Sequence, residues 1–242
     1  YEAWGSLARK LAHEIKNPLT PIQLTIDRIK NNYSNQISNE NQTSFKENLK
    51  IINGQIKQIE NLVNEFSDFA RMPKPILKEN DLIKILNDNI KLLSELNKLI
   101  EIKLIKNTDI ILFKCDKEQI GRVFFNLIKN SIESIEQKLE KSPDFKKKIS
   151  IEILDNNDHI KFILIDNGLG FDKKTSNIKE ILNPYYTTKK NGTGLGLSIV
   201  SKIINDHNGE INFISISDGA KIEITFKIDG NRNTHSWWQL GY

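Results

Sequence analysis

The stretch FKENLKIINGQIKQIENLVNEFSDFA, residues 45–70, repeats apolar residues at alternating steps of four and three. The repeated positions are Phe45, Leu49, Ile52, Ile56, Ile59, Val63, Phe66 and Ala70. A period of about 3.5 residues is typical of helices that pack lengthwise in a left-handed supercoil. The stretch therefore predicts a long helix that packs against at least one partner helix.

The residues before this stretch predict the partner helix. Apolar or semi-apolar residues spaced by three and four lie at Trp4, Leu7, Leu11, Ile15, Pro18, Ile22, Ile26, Ile29 and Tyr33. The polar segment 34–43 interrupts the pattern, and we expect it to form the turn of a helical hairpin. Since two helices bury only part of their apolar surface, we expect two hairpins to dimerise into a four-helix bundle. The alternative is a hairpin that docks on the second domain of its own chain.

His13 stands next to Glu14 in the segment HEIKNPLTPI, residues 13–22. It lies about 200° around the helix from the neighbouring apolar positions, so it should face solvent. An exposed histidine beside a carboxylate is a candidate nucleophile, because the carboxylate can hold the ring and accept a proton. Pro18 cannot donate a hydrogen bond to the carbonyl of Glu14, which should kink or loosen the helix near His13.

Composition restricts the class of protein. The 242 residues leave room for one large domain or two ordinary ones, and the net charge of +4 is small and scattered. We therefore expect no direct binding to nucleic acid. The single Cys115 excludes an internal disulfide and fits a reducing cytoplasm. No apolar run approaches the roughly 18 residues of a membrane span. A helical pattern that is already running at Trp4 suggests a piece of a longer protein.

The segment Met72-Pro73-Lys74-Pro75 marks a domain boundary, since two prolines so close together cannot continue a helix. We predict a helical hairpin at 1–74, a second domain at 75–230 and a tail of unknown role at 231–242. In the second domain, Asn80-Asp81 can cap a helix. We expect helices at about 81–97, 116–139 and 195–207, and strands at about 99–105, 110–114, 148–154, 160–166, 210–216 and 220–228. Helices with mostly antiparallel strands predict an α/β two-layer sandwich, and the whole chain an α+β multidomain protein.

Asn126 and Asn130 are four residues apart on the predicted long helix, so their amides project from one face. An amide oxygen is a neutral ligand suited to a Mg²⁺ ion that is shared with phosphates. Two solvated asparagines are the alternative, and the pair alone does not decide between them.

Asp166 follows the apolar run FILI, residues 162–165, and precedes Asn-Gly. A carboxylate at a strand end can accept a hydrogen bond from an exocyclic amine such as adenine N6. Gly168 and Gly170 would let the backbone approach a flat base, because they have no Cβ. A plain Asp-Asn-Gly turn is the alternative.

Gly192, Gly194 and Gly196 lead directly into a predicted helix. Glycines there expose backbone N–H groups at a helix N-terminus, where phosphate oxygens are favoured. The pattern is neither a Walker A motif nor a dinucleotide fingerprint. Together with Asp166 it brackets a loop of about 25 residues, which is typical of a ligand lid.

The order and spacing of these three motifs resemble the N, G1 and G2 boxes of the GHKL ATPase superfamily. With the segment 13–22, they closely resemble a two-component sensor histidine kinase over essentially the whole chain up to about residue 228. Within that family, segments 3–4, 13–23 and 184–189 look most like the nitrogen-regulation subfamily NtrY. The resemblance implies a Bergerat ATP-binding fold for the second domain. It also implies the cytoplasmic portion of a membrane-anchored bacterial sensor kinase.

For the hairpin, the resemblance implies ATP-dependent phosphorylation of His13 and transfer of the phosphoryl group to an aspartate of a response regulator. A neutral imidazole nitrogen of His13 would attack the γ-phosphorus, with Glu14 as its base. Asn17, one turn later, is implicated in orienting water for dephosphorylation of the regulator; an exposed polar residue before proline is the alternative. The implied partners are a second copy of the chain and a receiver domain, NtrX-like for this subfamily. Membrane contact would come only through upstream segments.

For the second domain, the resemblance implies ATP and Mg²⁺ as cofactors. It assigns Mg²⁺ coordination to Asn130, proximity to the phosphates to Asn126, and adenine recognition to Asp166. The other implied nucleotide contacts are Lys129, Gly168, Gly170, Thr188, Lys189, Gly192, Thr193, Gly194, Leu195 and Gly196. Lys129 and Lys189 are equally well explained as solvated lysines. The usual phenylalanine box of the lid is not recognisable, and segment 184–189 takes its place.

Two other functions compete with this interpretation. A GHKL ATPase of the chaperone or DNA-repair type would use hydrolysis to drive a conformational clamp, but it gives no reason for His13-Glu14. A degenerate kinase would serve as a dimerisation and signalling scaffold, but it gives no reason for intact Asn, Asp and Gly boxes.

Overall fold

The computed structural model describes residues 2–142, 144–156, 158–171, 181–183, 186–187 and 193–228. The chain divides into two compact units, the first made of Tyr1–Pro73 with Asn183–Gly196 and the second of Lys74–Leu182 with Leu197–Tyr242. The functional domain limits 1–74, 75–230 and 231–242 stay a prediction. Among the described residues, no helix is both long and apolar enough to span a lipid bilayer.

The first unit contains a hairpin of two long helices, as the apolar periodicity predicts. They are α1 (Glu2–Tyr33) and α2 (Asn39–Arg71). The prediction that 34–43 forms the turn is wrong for its second half, since α2 already begins at Asn39. Polar side chains stay hydrated on an exposed first helical turn, so polarity does not mark where a helix starts.

The predicted kink or loosening at Pro18 does not divide α1. The helix continues through Pro18 and Pro21 as one element. Each proline removes one donor from the backbone ladder, and the neighbouring turns keep the helix together.

The apolar pattern of the hairpin forms two adjacent stripes. The buried one has a core of Leu19, Ile26, Leu49 and Ile56, with Ile29 and Phe45 packed against it. Leu19 is not one of the predicted seam positions, whereas several predicted positions are exposed, namely Leu11, Ile15 and Ile22 on α1 and Ile52 and Ile59 on α2. Each helix therefore presents one apolar stripe inside the hairpin and a second one outside it.

The second unit is built on a five-stranded sheet. In chain order its elements are β1 (Lys78–Asp81), α3 (Leu82–Leu96), β2 (Glu101–Lys106), β3 (Leu112–Cys115), α4 (Lys117–Lys141), β4 (Lys148–Asp155), β5 (His159–Asp166), α5 (Gly196–Asp206), β6 (Gly209–Ser215) and β7 (Ala220–Lys227). The sheet order is β2-β4-β5-β7-β6, and β1 pairs with β3 separately. Only the β2–β4 pair of the five-stranded sheet is parallel. The predicted two-layer α/β sandwich is confirmed.

Alternation along the strands and a helical stripe on α4 build the core between the two layers. The buried strand residues are Ile149, Ile151, Ile153, Ile160, Phe162, Leu164, Ile222, Ile224 and Phe226. Facing them, the buried residues of α4 include Ile120, Val123, Phe124, Leu127, Ile128 and Ile135. The rings of Phe124 and Phe162 lie 5.1 Å apart, so α4 packs directly on β5. This packing fixes α4 beside the strand that ends at Asp166.

Side-chain caps set where α3 and α4 begin. The Asp81 carboxylate accepts from the backbone N–H of Ile83, which confirms the predicted cap. Asp116 caps α4 by accepting from the N–H groups of Glu118 and Gln119. Although partial burial alone would raise the pKa of Asp116, backbone donors at Ile76 and in α4 hold this pKa below its usual range.

His207, which has no role in the sequence-based interpretation, has a structural one. The ring is buried, and Nδ1 donates to the carbonyl of Ile203 at 2.7 Å. Nε2 accepts from the backbone N–H of Asp116 at 3.0 Å, so the ring is neutral with its proton on Nδ1. His207 thus joins the end of α5 to the start of α4.

Candidate functional site

The candidate nucleophile lies on the surface of α1. His13, Glu14 and Asn17 are all exposed, which agrees with the position predicted for His13. His13 and Asn17 are one helical turn apart and share a face. An exposed imidazole with a carboxylate at the next position can react with an incoming phosphoryl group without desolvating the core.

The candidate base-recognition residue, Asp166, lies at the end of β5 and is only 4% exposed. Its Oδ2 accepts from the hydroxyl of Ser131 at 2.9 Å, and its Oδ1 accepts from the N–H of Gly168 at 2.9 Å. Burial raises the pKa of Asp166, while Gly168, Ser131 and Ala220 oppose that rise by donating hydrogen bonds to the carboxylate. A buried carboxylate with such donors is an oriented acceptor.

Three glycines let backbone pack tightly around Asp166. A Cβ at Gly168 would lie 2.4 Å from Ser134 Oγ, and one at Gly170 would lie 2.5 Å from the carbonyl oxygen of Gly219. A Cβ at Gly219, whose φ is +103°, would lie 1.8 Å from the carbonyl oxygen of Asp166. The β6–β7 turn therefore lies in close contact with the backbone of the Asp166 segment.

Asn167 fastens the same segment to the start of β4. Its amide Nδ2 donates to the carbonyl of Lys146 at 2.7 Å, and its Oδ1 accepts from the N–H of Lys148 at 2.9 Å. Two bonds from one amide fix the direction of the chain immediately after Asp166. The Asp-Asn-Gly sequence is thus more than a plain turn, since both of its polar side chains anchor the segment.

The asparagines predicted to face the phosphates lie on α4. Asn126 and Asn130 are both half-buried, and the exposed Lys129 between them pairs with Glu133 at 3.8 Å. Their amide oxygens suit a divalent cation that is shared with phosphate oxygens. In the described part of the chain, no group of three or more His, Cys, Asp or Glu side chains could hold a metal ion by itself.

The predicted phosphate loop is described only in part. Thr188, Lys189 and Gly192 lie outside the described residues. Thr193 donates a hydrogen bond from its hydroxyl to Glu65 on α2 and accepts one from the N–H of Leu195 at 3.4 Å. Gly194 has a φ of +71°, and α5 begins at Gly196. Phosphate contacts by this loop stay a prediction.

The described residues fit an adenine nucleotide at Asp166. The carboxylate supplies the acceptor that the exocyclic amine needs. At Gly168 the place that a Cβ would take is already occupied by Ser134 of α4, so this glycine lets the segment after Asp166 pack against the helix. Asn126 and Asn130 lie on the same helix as Ser131, which contacts Asp166. Helix α4 thus carries both Ser131, which contacts the Asp166 carboxylate, and the two asparagine amides that are suited to a bound cation.

Sequence reasoning missed four residues of this site: Ser131, Ser134, Lys138 and Gly219. The first three recur at steps of three and four on α4, on the face that also carries the buried Leu127 and Ile135, and polar residues at such spacing could have revealed them. Nothing in the sequence near Gly219 identifies it, because its neighbour is a strand end more than fifty residues away.

Two family models match the chain. Residues 3–75 match the His Kinase A (phospho-acceptor) domain. Residues 115–230 match the histidine kinase-, DNA gyrase B-, and HSP90-like ATPase family. The first match contains His13, and the second contains the motifs at 126–130, 166–170 and 192–196.

Curated relatives are similar along nearly the whole chain. An NtrY-like sensor histidine kinase of Rickettsia bellii is 36% identical over 228 residues, which are 94% of this chain and 36% of the relative. The nitrogen regulation protein NtrY of Azorhizobium caulinodans is 34% identical over 235 residues, which are 94% of this chain and 29% of the relative. The chain thus spans about a third of the length of the curated relatives it matches.

Among solved structures, the histidine kinase ThkA in complex with the response regulator protein TrrA has a similar fold. The TM-score is 0.65 at 23% identity, and the alignment covers 96% of this chain and 64% of that one.

Proposed function

Because this chain belongs to the sensor histidine kinases, we propose that it phosphorylates His13 with ATP and transfers the phosphoryl group to an aspartate of a response regulator. The observation that carries the proposal is the exposed His13-Glu14 pair on α1, inside the region that matches the phospho-acceptor domain. Because ATP is available in the cytoplasm, we also propose that both domains lie on the cytoplasmic side of the cell membrane.

In the proposed reaction, the neutral nitrogen of His13 forms a bond to the γ-phosphorus as the bond to the bridging oxygen breaks and ADP leaves. As the new bond forms, the ring becomes cationic and the Glu14 carboxylate stabilises it; Glu14 then accepts the proton from the other ring nitrogen, which leaves a neutral phosphohistidine. ATP bound with Mg²⁺ supplies the electrophilic phosphoryl group. Asn130 would hold the cation, Asn126 would lie near the phosphates, and Asp166 would accept from the adenine amine.

The chain also offers a surface for dimerisation. Leu11, Ile15 and Ile22 form an apolar stripe on α1 that is more than 40% exposed at each residue, and Ile52 and Ile59 on α2 are exposed to a similar degree. Exposed apolar stripes at heptad spacing are typical of helices that pack with further helices. A second hairpin would bury this stripe in a four-helix bundle.

The receiver domain is the proposed protein partner. ThkA, whose fold is similar, has been solved with a response regulator. The chain is similar to NtrY proteins, and for this subfamily we propose an NtrX-like regulator. Phosphotransfer from labelled protein to a panel of receiver domains tests this choice, and preferential transfer to a regulator outside the NtrX type would refute it.

We extend the proposal to dephosphorylation of the regulator through Asn17. Its exposed amide lies one turn after His13, where it could orient a water molecule toward the acyl phosphate. Asn17→Ala should cut phosphatase activity and spare autophosphorylation. Equal loss of both activities would contradict the assignment.

The central test incubates the 242-residue chain with γ-labelled ATP and Mg²⁺. The kinase proposal predicts acid-labile, base-stable label that His13→Gln abolishes. His159→Gln, a change at the half-buried first residue of β5, is the matched control and should keep the label. Rapid phosphate release without labelled protein would support the ATPase alternative, and tight ATP binding without label would support the scaffold.

A further inference from the structure

A polar stripe on α4 contacts the Asp166 segment at three successive points. Ser131 donates to Asp166 Oδ2 at 2.9 Å, and Ser134 Oγ accepts from the N–H of Leu169 at 3.0 Å. Lys138 donates from Nζ to the carbonyl of Asn167 at 2.8 Å. Positions i, i+3 and i+7 share one face of a helix, so a single rigid element holds the whole segment.

Lys138 is itself held in place. Its Nζ forms an ion pair with Asp218 in the β6–β7 turn and lies 4.7 Å from the centre of the Phe145 ring. The Lys138 side chain is only about 20% exposed, but that of Asp218 is 67% exposed, so salt still screens the ion pair. Lys138 therefore ties α4, the Asp166 segment and the β6–β7 turn together.

The contacts to Asp166 fix the orientation of its carboxylate. Ser131 and Gly168 donate to different oxygens, which stops rotation of the group. A fixed, ionised carboxylate accepts from the exocyclic amine of adenine and repels the carbonyl oxygen that guanine carries at the same ring position. A carboxylate that rotates or shifts loses this discrimination.

We propose that Ser131, Ser134 and Lys138 are positioning residues that hold the 166–169 segment in the shape that selects adenine over guanine nucleotides. The inference rests on the proposed ATP-binding function and adds the residues on which base selectivity depends. They act through Asp166 and the adjoining backbone, with no contact of their own to the nucleotide required.

The test measures dissociation constants of ATP and GTP for the full chain by competition against a fluorescent ATP analogue. Ser131→Ala should raise the dissociation constant of ATP about tenfold, as expected for one lost hydrogen bond to a charged group. GTP binding should change less than twofold, so the selectivity ratio should fall. Ser201→Ala, the same truncation at a half-buried position of α5, should leave both constants unchanged.

A second pair of variants guards against a folding defect at the buried Ser131. Lys138→Met removes the donor but keeps the apolar stem, and it should lower the selectivity ratio about threefold to tenfold. Lys138→Arg keeps a donor and should retain most of the wild-type selectivity ratio. Circular dichroism spectra test whether each variant is folded.

The outcomes separate the two proposals. If the variants weaken the binding of ATP and GTP equally, or change neither dissociation constant, the positioning role is wrong, while the proposal that the wild-type chain binds ATP stands. A wild-type chain that binds neither nucleotide would overturn the proposed function and this inference with it. A selectivity ratio that falls in Ser131→Ala and Lys138→Met, and returns in Lys138→Arg, supports the inference.

Discussion

Gly219→Ala should damage the nucleotide site from a position that has no chemical role in it. A Cβ there would lie 1.8 Å from the carbonyl oxygen of Asp166, while Cβ atoms essentially never approach a heavy atom within 3.0 Å. The oxygen must therefore retreat by more than about 1 Å. Asp166 cannot retreat freely, because β5 is paired on both sides, with β4 and with β7.

The cost of Gly219→Ala has two parts. Alanine at a φ of +103° is strained by about 1–3 kcal/mol, and forcing an extra carbon into packed backbone costs about another 1–3 kcal/mol. A loss of about 2–6 kcal/mol is a large fraction of the roughly 5–15 kcal/mol that stabilises a domain. We expect a fall in melting temperature of about 5–15 °C and at least about tenfold weaker ATP binding.

Thermal unfolding followed by circular dichroism and the ATP competition assay measure the two effects of Gly219→Ala. Gly121→Ala is the matched control, since its Cβ would meet only ordinary contacts at 3.7 Å inside α4. That variant should be stabilised by about 0.5–1 kcal/mol, as expected for alanine in a helix. Wild-type stability and affinity in Gly219→Ala would refute the close approach of the β6–β7 turn to Asp166.

Three further changes test other parts of the molecule. Burial raises the pKa of Asp166, so the Asp166 carboxyl binds a proton more tightly in the folded state than in the unfolded state. The free energy of unfolding therefore falls as the pH rises from about 3.9, the usual pKa of an aspartate, through the pKa of Asp166 in the folded state. Asp166→Asn should flatten this pH dependence in urea titrations and weaken ATP binding; an unchanged slope would contradict the assignment. Gly54→Ala in α2, where a Cβ has open space, should raise the free energy of unfolding by about 0.5–1 kcal/mol, and destabilisation would show that the surrounding helix is packed differently. Ile22→Asp on the exposed stripe should raise the dimer dissociation constant about a hundredfold in analytical ultracentrifugation, and an unchanged constant would show that the stripe lies outside the dimer interface.

Local rules explain why much of the fold could be predicted. Helix periodicity, the Asp81 cap and the alternation in β4, β5 and β7 all depend on residues close together in the chain. The short strand β1 could not be predicted, because its sequence KEND is polar and becomes a strand only by pairing with β3. Strand formation in such a segment depends on the partner and not on its own composition.

The two apolar stripes of the hairpin illustrate the same limit. The spacing of Leu11, Ile15 and Ile22 predicts an apolar face, and the structure shows that this face lies outside the hairpin while Leu19 and Ile26 lie inside it. Positions about 40–80° apart around a helix are too close for periodicity to separate. Which of them is buried depends on the angle at which the second helix packs.

The sequence by itself determined the helical hairpin and the exposed position of the His13-Glu14 pair, because both follow from the spacing of apolar residues along a helix. It also determined the Asp166 and glycine motifs, because each consists of residues close together in the chain. Only the tertiary structure decided what fixes Asp166 in place. Ser131 lies 35 positions before it and Gly219 more than fifty after it, and both reach it because α4 and β7 dock beside β5. That docking follows from burial of the whole core, which no local pattern contains.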